Sequence, residues 1–198
     1  VDEIHCDIVY EDAEFISYAT IAPELEANAI ICTAPSKTFN IAGLRNSNII
    51  IPNEYLRAQY IKTKEYFGYP GPGPFPLIAC IAAYTEGAGW QDDVMKYIKE
   101  NRDFALSFIR ENIPKLQVHK PDGTYFLWLD FNAYGLTKEE LEIFLVEKAG
   151  IWLNQGYIFG EAGEGFARMN IASPRALLTT ALENLKIALD IDINIDKS

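Results

Sequence analysis

A long amphipathic segment near the middle of the chain constrains its fold more than any other feature. Apolar side chains recur at helical spacing over residues 91–112, a pattern that predicts a helix of about six turns. The residues of this stripe are Val94, Ile98, Ala105, Phe108 and Ile109. We expect it to divide the chain into an α/β region over residues 1–90, a bridging helix over 91–114 and a smaller α+β domain over 115–198.

Short strands and helices are predicted on the N-terminal side of this helix. Runs rich in β-branched residues predict buried strands at residues 4–10, 29–34 and 46–52. A helical pattern over 54–67 then ends at the proline- and glycine-rich loop Gly68–Pro74. The apolar segment that follows, residues 76–85, predicts a buried helix.

On the C-terminal side, strands predominate between two helices. The predicted strands cover residues 116–119, 124–131, 151–153 and 166–171. A capping-box pattern at Thr137 predicts a helix that continues to about Lys148. Ser173 as N-cap, with Pro174 at the first helical position, predicts the start of the last helix.

Composition excludes several classes of protein. There are 17 Lys and Arg residues against 28 Asp and Glu, a net charge of −11, which argues against a nucleic-acid partner. The apolar runs are too short to span a bilayer, so we expect no membrane partner. Three widely spaced cysteines without a C-x-x-C pair, and only two histidines, make a zinc site improbable. Free cysteines and the absence of a signal-peptide pattern favour a cytoplasmic protein.

Lys37 is the first residue that could perform chemistry. It lies in the segment TAPSKTFN (residues 33–40), directly after a predicted strand. Desolvation can lower the pKa of such an amine and make it nucleophilic, and nearby hydroxyl and N–H groups could hold a phosphate. On spacing alone, a solvated loop lysine is the simpler interpretation.

Two further segments carry charge in apolar surroundings. In DEIHCD (residues 2–7), alternation would place Asp2 and Ile4 on one face of a strand and Glu3 and His5 on the other. A strand end with solvated charges explains that segment equally well. Arg168 lies within the apolar strand FARMNI (residues 166–171), where it could bind a carboxylate ligand or form an internal salt bridge.

Taken together, these segments resemble one family. DEIH, SKTFNIAGL and FARMNIA occur here in the order typical of the class I/II aminotransferase superfamily, fold type I, whose enzymes use pyridoxal 5'-phosphate (PLP). Within it, the chain resembles the PatB/MalY branch of cystathionine β-lyases and cysteine-S-conjugate C–S lyases, which includes cystalysin. PDGTYFLWLD (residues 121–130) and GYIFGE (residues 156–161) also match. The fold implied is the C-terminal part of the large PLP-binding domain followed by a smaller α+β domain.

The resemblance implies a role for each candidate residue. Lys37 would be the Schiff-base lysine and would move the substrate Cα proton. Asp2 would pair with the pyridinium nitrogen, and His5 would donate to the phenolic oxygen of the cofactor. The implied phosphate ligands are Thr33, Ser36 and, less consistently because Asn46 and Ser47 depart from the pattern, Arg45. Arg168 would bind the substrate α-carboxylate, and Asn170 would support its strand.

The activity implied is a PLP-dependent β-elimination that releases pyruvate, ammonia and a thiol. An aminotransferase of the same fold is the alternative, and a non-catalytic interaction module is a third hypothesis. The chain begins at Val1 without a Met and matches only the C-terminal half of the family's usual length. We therefore expect activity only in a full-length protein, which the resemblance implies to be a homodimer acting on a small amino acid.

Overall fold

The computed structural model describes residues 1–21 and 28–195, and their backbone divides into two compact units. The first unit comprises Val1–Met95 together with Asp122–Thr124, and the second comprises Lys96–Pro121 and Tyr125 onward. The long helix predicted over 91–112 is confirmed as Ala88–Asn112, and both units include part of it.

The first unit contains a small sheet built on two antiparallel strands, β1 (Ile31–Thr33) and β2 (Asn48–Ile50). Both lie within predicted strands. The N-terminal segment extends this sheet, because Asp2 forms an isolated parallel bridge with Cys32. Backbone hydrogen bonds from Glu3 N to Cys32 O and from Cys32 N to Val1 O hold the segment in place, at 2.8 and 2.9 Å.

The predicted strand over residues 4–10 is wrong, because the chain turns at residues 4–7. Asp2 Oδ1 accepts the backbone N–H of Ile4 at 3.1 Å, and Ile8 N–H donates to His5 O at 2.9 Å. Short acidic side chains favour such turns by accepting hydrogen bonds two residues further on. The expected alternation of faces therefore does not continue past Ile4.

Among the residues that the structure describes, five α-helices belong wholly or partly to the first unit. They are α1 (Tyr18–Ile21), α2 (Pro35–Thr38), α3 (Glu54–Tyr66), α4 (Pro74–Glu86) and α5 (Ala88–Asn112). The helix predicted over 76–85 is confirmed as α4, but its expected burial is wrong. None of its residues is buried in the described part of the chain, and Phe75 remains 77% exposed.

The second unit is built on a four-stranded antiparallel sheet with the order β3-β4-β6-β5. Its strands are β3 (Gln117–Val118), β4 (Phe126–Asp130), β5 (Asn154–Gln155) and β6 (Phe166–Asn170). Leu127, Leu129, Ala167 and Met169 are buried, so one face of the sheet lies against the core. The strand predicted at 151–153 is wrong: β5 begins at Asn154, where the backbone pairs with Arg168.

The capping box predicted at Thr137 is confirmed. It opens α6 (Lys138–Ile143), which continues as a π-helical turn over Phe144–Lys148. The last helix, α7 (Arg175–Ile195), begins just beyond Pro174 and not at it, a difference within the usual uncertainty of helix ends. Asn101, fully buried on α5, holds the chain between β6 and α7 by donating to the carbonyls of Ile171 and Ser173 at 2.8 and 2.9 Å.

Two glycines meet where the chain passes between β5 and β6. A Cβ on Gly156 would overlap the carbonyl oxygen of Gly163, and a Cβ on Gly163 would overlap the carbonyl oxygen of Gly156. The two backbones therefore approach more closely than any side chain allows, which brings the 3₁₀ turn Gly156–Phe159 next to β6.

Candidate active site

Lys37 lies on α2, the short helix that follows β1 directly. Pro35 at the start of the helix has the φ angle that a helix requires, and Phe39 N–H closes the turn on Pro35 O at 2.9 Å. Ser36 is buried and Lys37 is half-buried. The Lys37 Nζ has no hydrogen bond or ion pair with any residue that the structure describes.

Asp2 reaches the same end of the sheet by strand pairing. Its bridge to Cys32 places it beside β1, whose last residue, Thr33, is separated from α2 by a single residue. Thr33 Oγ1 accepts a hydrogen bond of 3.3 Å from Asn48 on β2. The structure therefore brings Asp2, Thr33 and the helix of Lys37 to one edge of the first unit.

The turn that carries His5 is attached to α2 by a side-chain hydrogen bond. Thr38 Oγ1 donates to Asp7 Oδ2 at 3.0 Å, and Gln91 donates to the Asp7 carbonyl oxygen at 3.1 Å. Thr38 is only 5% exposed. This bond fixes the position of the His5 turn relative to the lysine helix.

Burial governs the titration of two groups beside this turn. It raises the pKa of the Cys6 thiol to about 11, with the Asp7 carboxylate adding to the effect. It also raises the pKa of the Tyr84 hydroxyl to about 12, again with a contribution from Asp7. Both groups therefore stay protonated and uncharged near neutral pH.

A cavity of about 700 Å³ opens beside Asp2 and His5. Residues of the segment Asp12–Ile16 and of Asp122–Thr124 complete its lining. Lys37 is not among the lining residues, so the cavity lies beside the lysine helix and does not include it.

Arg45 lies at a second, smaller cavity. Its backbone adopts a left-handed conformation (φ 53°) after the 3₁₀ turn Ala42–Leu44. It lines a space of about 220 Å³ together with Lys64, Tyr60 and Tyr69. Arg45 and Lys64 have no described acidic partner, so this cavity is positively charged.

Arg168 belongs to the second unit and lies on the face of the sheet that turns away from the core. It pairs in register with Trp128 of β4 and Asn154 of β5. Its Nη2 donates to Asn154 Oδ1 at 3.0 Å, and no described carboxylate lies within ion-pair distance. The internal salt bridge considered from the sequence is therefore not formed among the described residues, and no described carboxylate neutralises the charge of Arg168.

The sequence did not reveal three sets of contacts that hold these residues in position. Thr38 lies within the segment TAPSKTFN (residues 33–40), but its hydrogen bond to Asp7 forms only because a turn replaces the predicted strand. Asn154 and the rings around Arg168 depend on strand register, which the sequence does not specify here. The first unit contains Lys37, Asp2, His5, Thr33, Ser36 and Arg45, and the second contains Arg168 and Asn170.

No group of metal-ligating side chains occurs among the residues described, and none of the described helices is long and apolar enough to cross a membrane. The three cysteines are free and half-buried.

Comparison with known proteins establishes the family. The model of aminotransferase class I and II matches residues 1–185. The chain therefore belongs to the class I and II aminotransferase family, as the resemblance of its motifs indicates.

Two curated relatives and one solved structure show which members of the family the chain resembles. The chain is 38% identical to cystathionine beta-lyase PatB of Bacillus subtilis, and the match covers 95% of this chain and 49% of PatB. Protein MalY of Escherichia coli is 32% identical to this chain, and the match covers 93% of this chain and 47% of MalY. The structure matches cystalysin from Treponema denticola, which contains PLP, with a TM-score of 0.90 and 37% identity, covering 96% of this chain and 48% of that one. These matches confirm the predicted fold type I architecture, and the chain spans about half the length of the relatives that it matches.

Proposed function

We propose that this chain supplies the lysine half of a PLP-dependent C–S β-lyase. Its similarity to a cystathionine beta-lyase and to cystalysin supports this reaction class. The observation that carries the proposal is Lys37: a half-buried amine without a described partner, placed on a short helix at the end of the strand that pairs with Asp2.

The chemistry of the candidate residues in the first unit suits a phosphorylated aromatic aldehyde. Lys37 would hold its carbonyl carbon, and Asp2 would keep a proton on its ring nitrogen. His5 would donate to its phenolic oxygen. Thr33, Ser36 and Arg45 would contact its phosphate, and the positive charge around Arg45 and Lys64 suits a phosphate dianion. When bound, PLP withdraws electrons from the Cα of an amino acid.

This chain's own groups would then divide the work of the reaction. The Lys37 amine accepts the substrate Cα proton, and Arg168 binds the substrate carboxylate through its guanidinium. Loss of that proton releases a thiol as the Cβ–S bond breaks. One water molecule is consumed overall, and the products are a thiol, pyruvate and ammonia.

The decisive variant is Lys37→Ala in the full-length protein. We expect it to lose the visible absorbance of the lysine-bound cofactor and to lower turnover at least about 100-fold, because the proton acceptor is gone. Lys62→Ala is the matched control, since Lys62 is an exposed lysine on α3. Retention of both signals by Lys37→Ala would exclude the assignment.

An aminotransferase is the second candidate, because the family to which the chain belongs is named for that reaction. The two reactions differ in their need for a second substrate. A lyase releases pyruvate and sulfide from cysteine alone, whereas an aminotransferase consumes the amino acid only when a 2-oxo acid accepts the amino group. Assaying cysteine and cystathionine with and without a 2-oxo acid separates them.

We further propose that the whole protein is a cytoplasmic homodimer. The exposed apolar side chains of α4, among them Phe75, Leu77 and Ile78, support an interface next to the Gly68–Pro74 loop. Free cysteines favour a reducing compartment. Light scattering on the active full-length protein tests the dimer, and an active monomer would exclude it.

A further inference from the structure

Uncharged groups surround the guanidinium of Arg168. Asn154 Oδ1 accepts from Nη2 at 3.0 Å, and the guanidinium carbon lies 4.1 Å from the centre of the Phe126 ring and 4.6 Å from that of Phe159. An aromatic face attracts a cation without neutralising it. The positive charge of Arg168 is therefore held in place but not cancelled.

The strand register explains how an amide comes to fill this position. Asn154 and Arg168 are directly opposed on β5 and β6, so their side chains lie on the same face of the sheet. A carboxylate at residue 154 would reach the same nitrogen and form an ion pair with Arg168. An amide gives the same hydrogen bond without the negative charge.

Most of the N–H donors of Arg168 remain unpaired. Its Nε is buried and has no hydrogen-bond partner among the residues that the structure describes. A buried donor without a partner is unfavourable. The N–H groups at the end of the guanidinium, other than the one bonded to Asn154, have no described partner and can donate to a carboxylate. Because Asn154 holds Nη2, the guanidinium is oriented before a ligand arrives.

We propose that Asn154 is a positioning residue for substrate binding: its amide oxygen orients Arg168 toward the substrate α-carboxylate while leaving the arginine charge unpaired. This inference rests on the proposed function, in which Arg168 binds that carboxylate. It assigns selectivity for carboxylate-bearing amino acids over simple amines to the pair Asn154–Arg168.

Asn154→Asp in the full-length protein tests this role, because it keeps the shape and the hydrogen-bond acceptor but adds a charge. We expect KM for cysteine to rise roughly ten- to a hundredfold, with little change in kcat. Calorimetry should show L-alanine binding weakened to a similar extent and ethylamine, which lacks the carboxylate, unaffected. The melting temperature should stay the same or rise, since the variant gains an ion pair.

Two further variants complete the design. Asn112→Asp makes the same change of charge at a residue whose side chain bonds only to its own helix, and it should leave KM unchanged. Asn154→Ala removes the acceptor but leaves Arg168 charged, so its KM should lie between those of the wild type and Asn154→Asp. An equal KM for the two Asn154 variants would overturn the role of charge.

Other outcomes would overturn the inference as a whole. A lower melting temperature for Asn154→Asp with unchanged KM would show a structural role only. Wild-type protein that binds L-alanine no better than ethylamine would show that Arg168 does not bind the carboxylate. Neither result depends on the Lys37 absorbance band, so failure of this inference is distinguishable from failure of the proposed function.

Discussion

Thr38 links the two segments that carry Lys37 and His5. Its hydroxyl is buried and donates to Asp7, a carboxylate that also raises the pKa of the neighbouring Cys6 thiol. A half-buried carboxylate is stable only when donors offset its lost hydration. The Thr38 hydroxyl is such a donor, so it stabilises the turn as well as connecting it.

Thr38→Val should therefore destabilise the protein. Valine keeps the shape of threonine but leaves Asp7 without this donor, at a cost of about 1–2 kcal/mol in the free energy of unfolding. Urea denaturation measures the change. Thr85→Val is the control, because the Thr85 hydroxyl is exposed and bonds only within α4. Equal effects of the two substitutions would contradict a special role for the Thr38–Asp7 bond.

The sequence predicted that Lys37 follows a strand and that Arg168 lies within one, and the structure confirms both positions. It did not indicate the residues that hold these segments in place. Lys37 follows a strand because a β-branched run, a proline and hydroxyl residues lie in succession, all of which are local signals. The Thr38–Asp7 bond joins residues 31 positions apart, and the Asn154–Arg168 bond joins residues 14 positions apart. Such contacts depend on the turn at residues 4–7 and on the register of β5, which have no local signal.

At the scale of helices and strands, capping chemistry was the most reliable guide. Thr137 accepts from Glu140 N–H at 3.2 Å, and the Glu140 carboxylate accepts from Thr137 N–H at 2.9 Å, as the capping-box pattern requires. The apolar pattern of the sequence was a less reliable guide to burial. It predicted the helix α4 correctly but not its exposure, because an apolar pattern shows that a surface can be buried and not what covers it.

The capping box makes α6 sensitive to acid. The hydrogen bond from Thr137 N–H lowers the pKa of Glu140, so Glu140 stabilises the fold above the ordinary pKa of a glutamate. That contribution is lost as the pH falls through the lowered value. Glu140→Ala should thus lower the melting temperature at pH 7 and have a smaller effect near pH 3.

Glu139→Ala provides the comparison, because Glu139 lies in the same first turn but makes no capping bond. Thr137→Ala should cost about 1 kcal/mol at pH 7, the usual effect of losing an N-cap side chain. A pH-independent effect of Glu140→Ala would show that the carboxylate does not cap the helix.

Across the whole molecule, the buried core is distributed unequally between the two units. Of the 27 apolar residues that are buried in the described parts of the chain, 6 lie in the first unit and 21 in the second. Local stability follows the density of buried apolar contacts. The four-stranded sheet with α6 and α7 should therefore be the more stable part of this chain.

Amide hydrogen exchange on the 198-residue chain tests this distribution. We expect β4, β6 and the second half of α5 to exchange at least about tenfold more slowly than β1, β2 and α4, which corresponds to roughly 1.4 kcal/mol or more in local opening free energy. Mass spectrometry of peptides from each unit gives both rates in one experiment. Similar protection in the two units would contradict the prediction.

The contact between Gly156 and Gly163 restricts how this part of the chain can vary over evolution. Each glycine is required because the backbone of the other glycine occupies the space that a side chain would need. A substitution at either position therefore forces the same two backbone segments apart. A second substitution at the partner position would then cost little more, because the contact is already broken. The two positions should behave as one genetic unit, in which the first change is severe and the second nearly neutral.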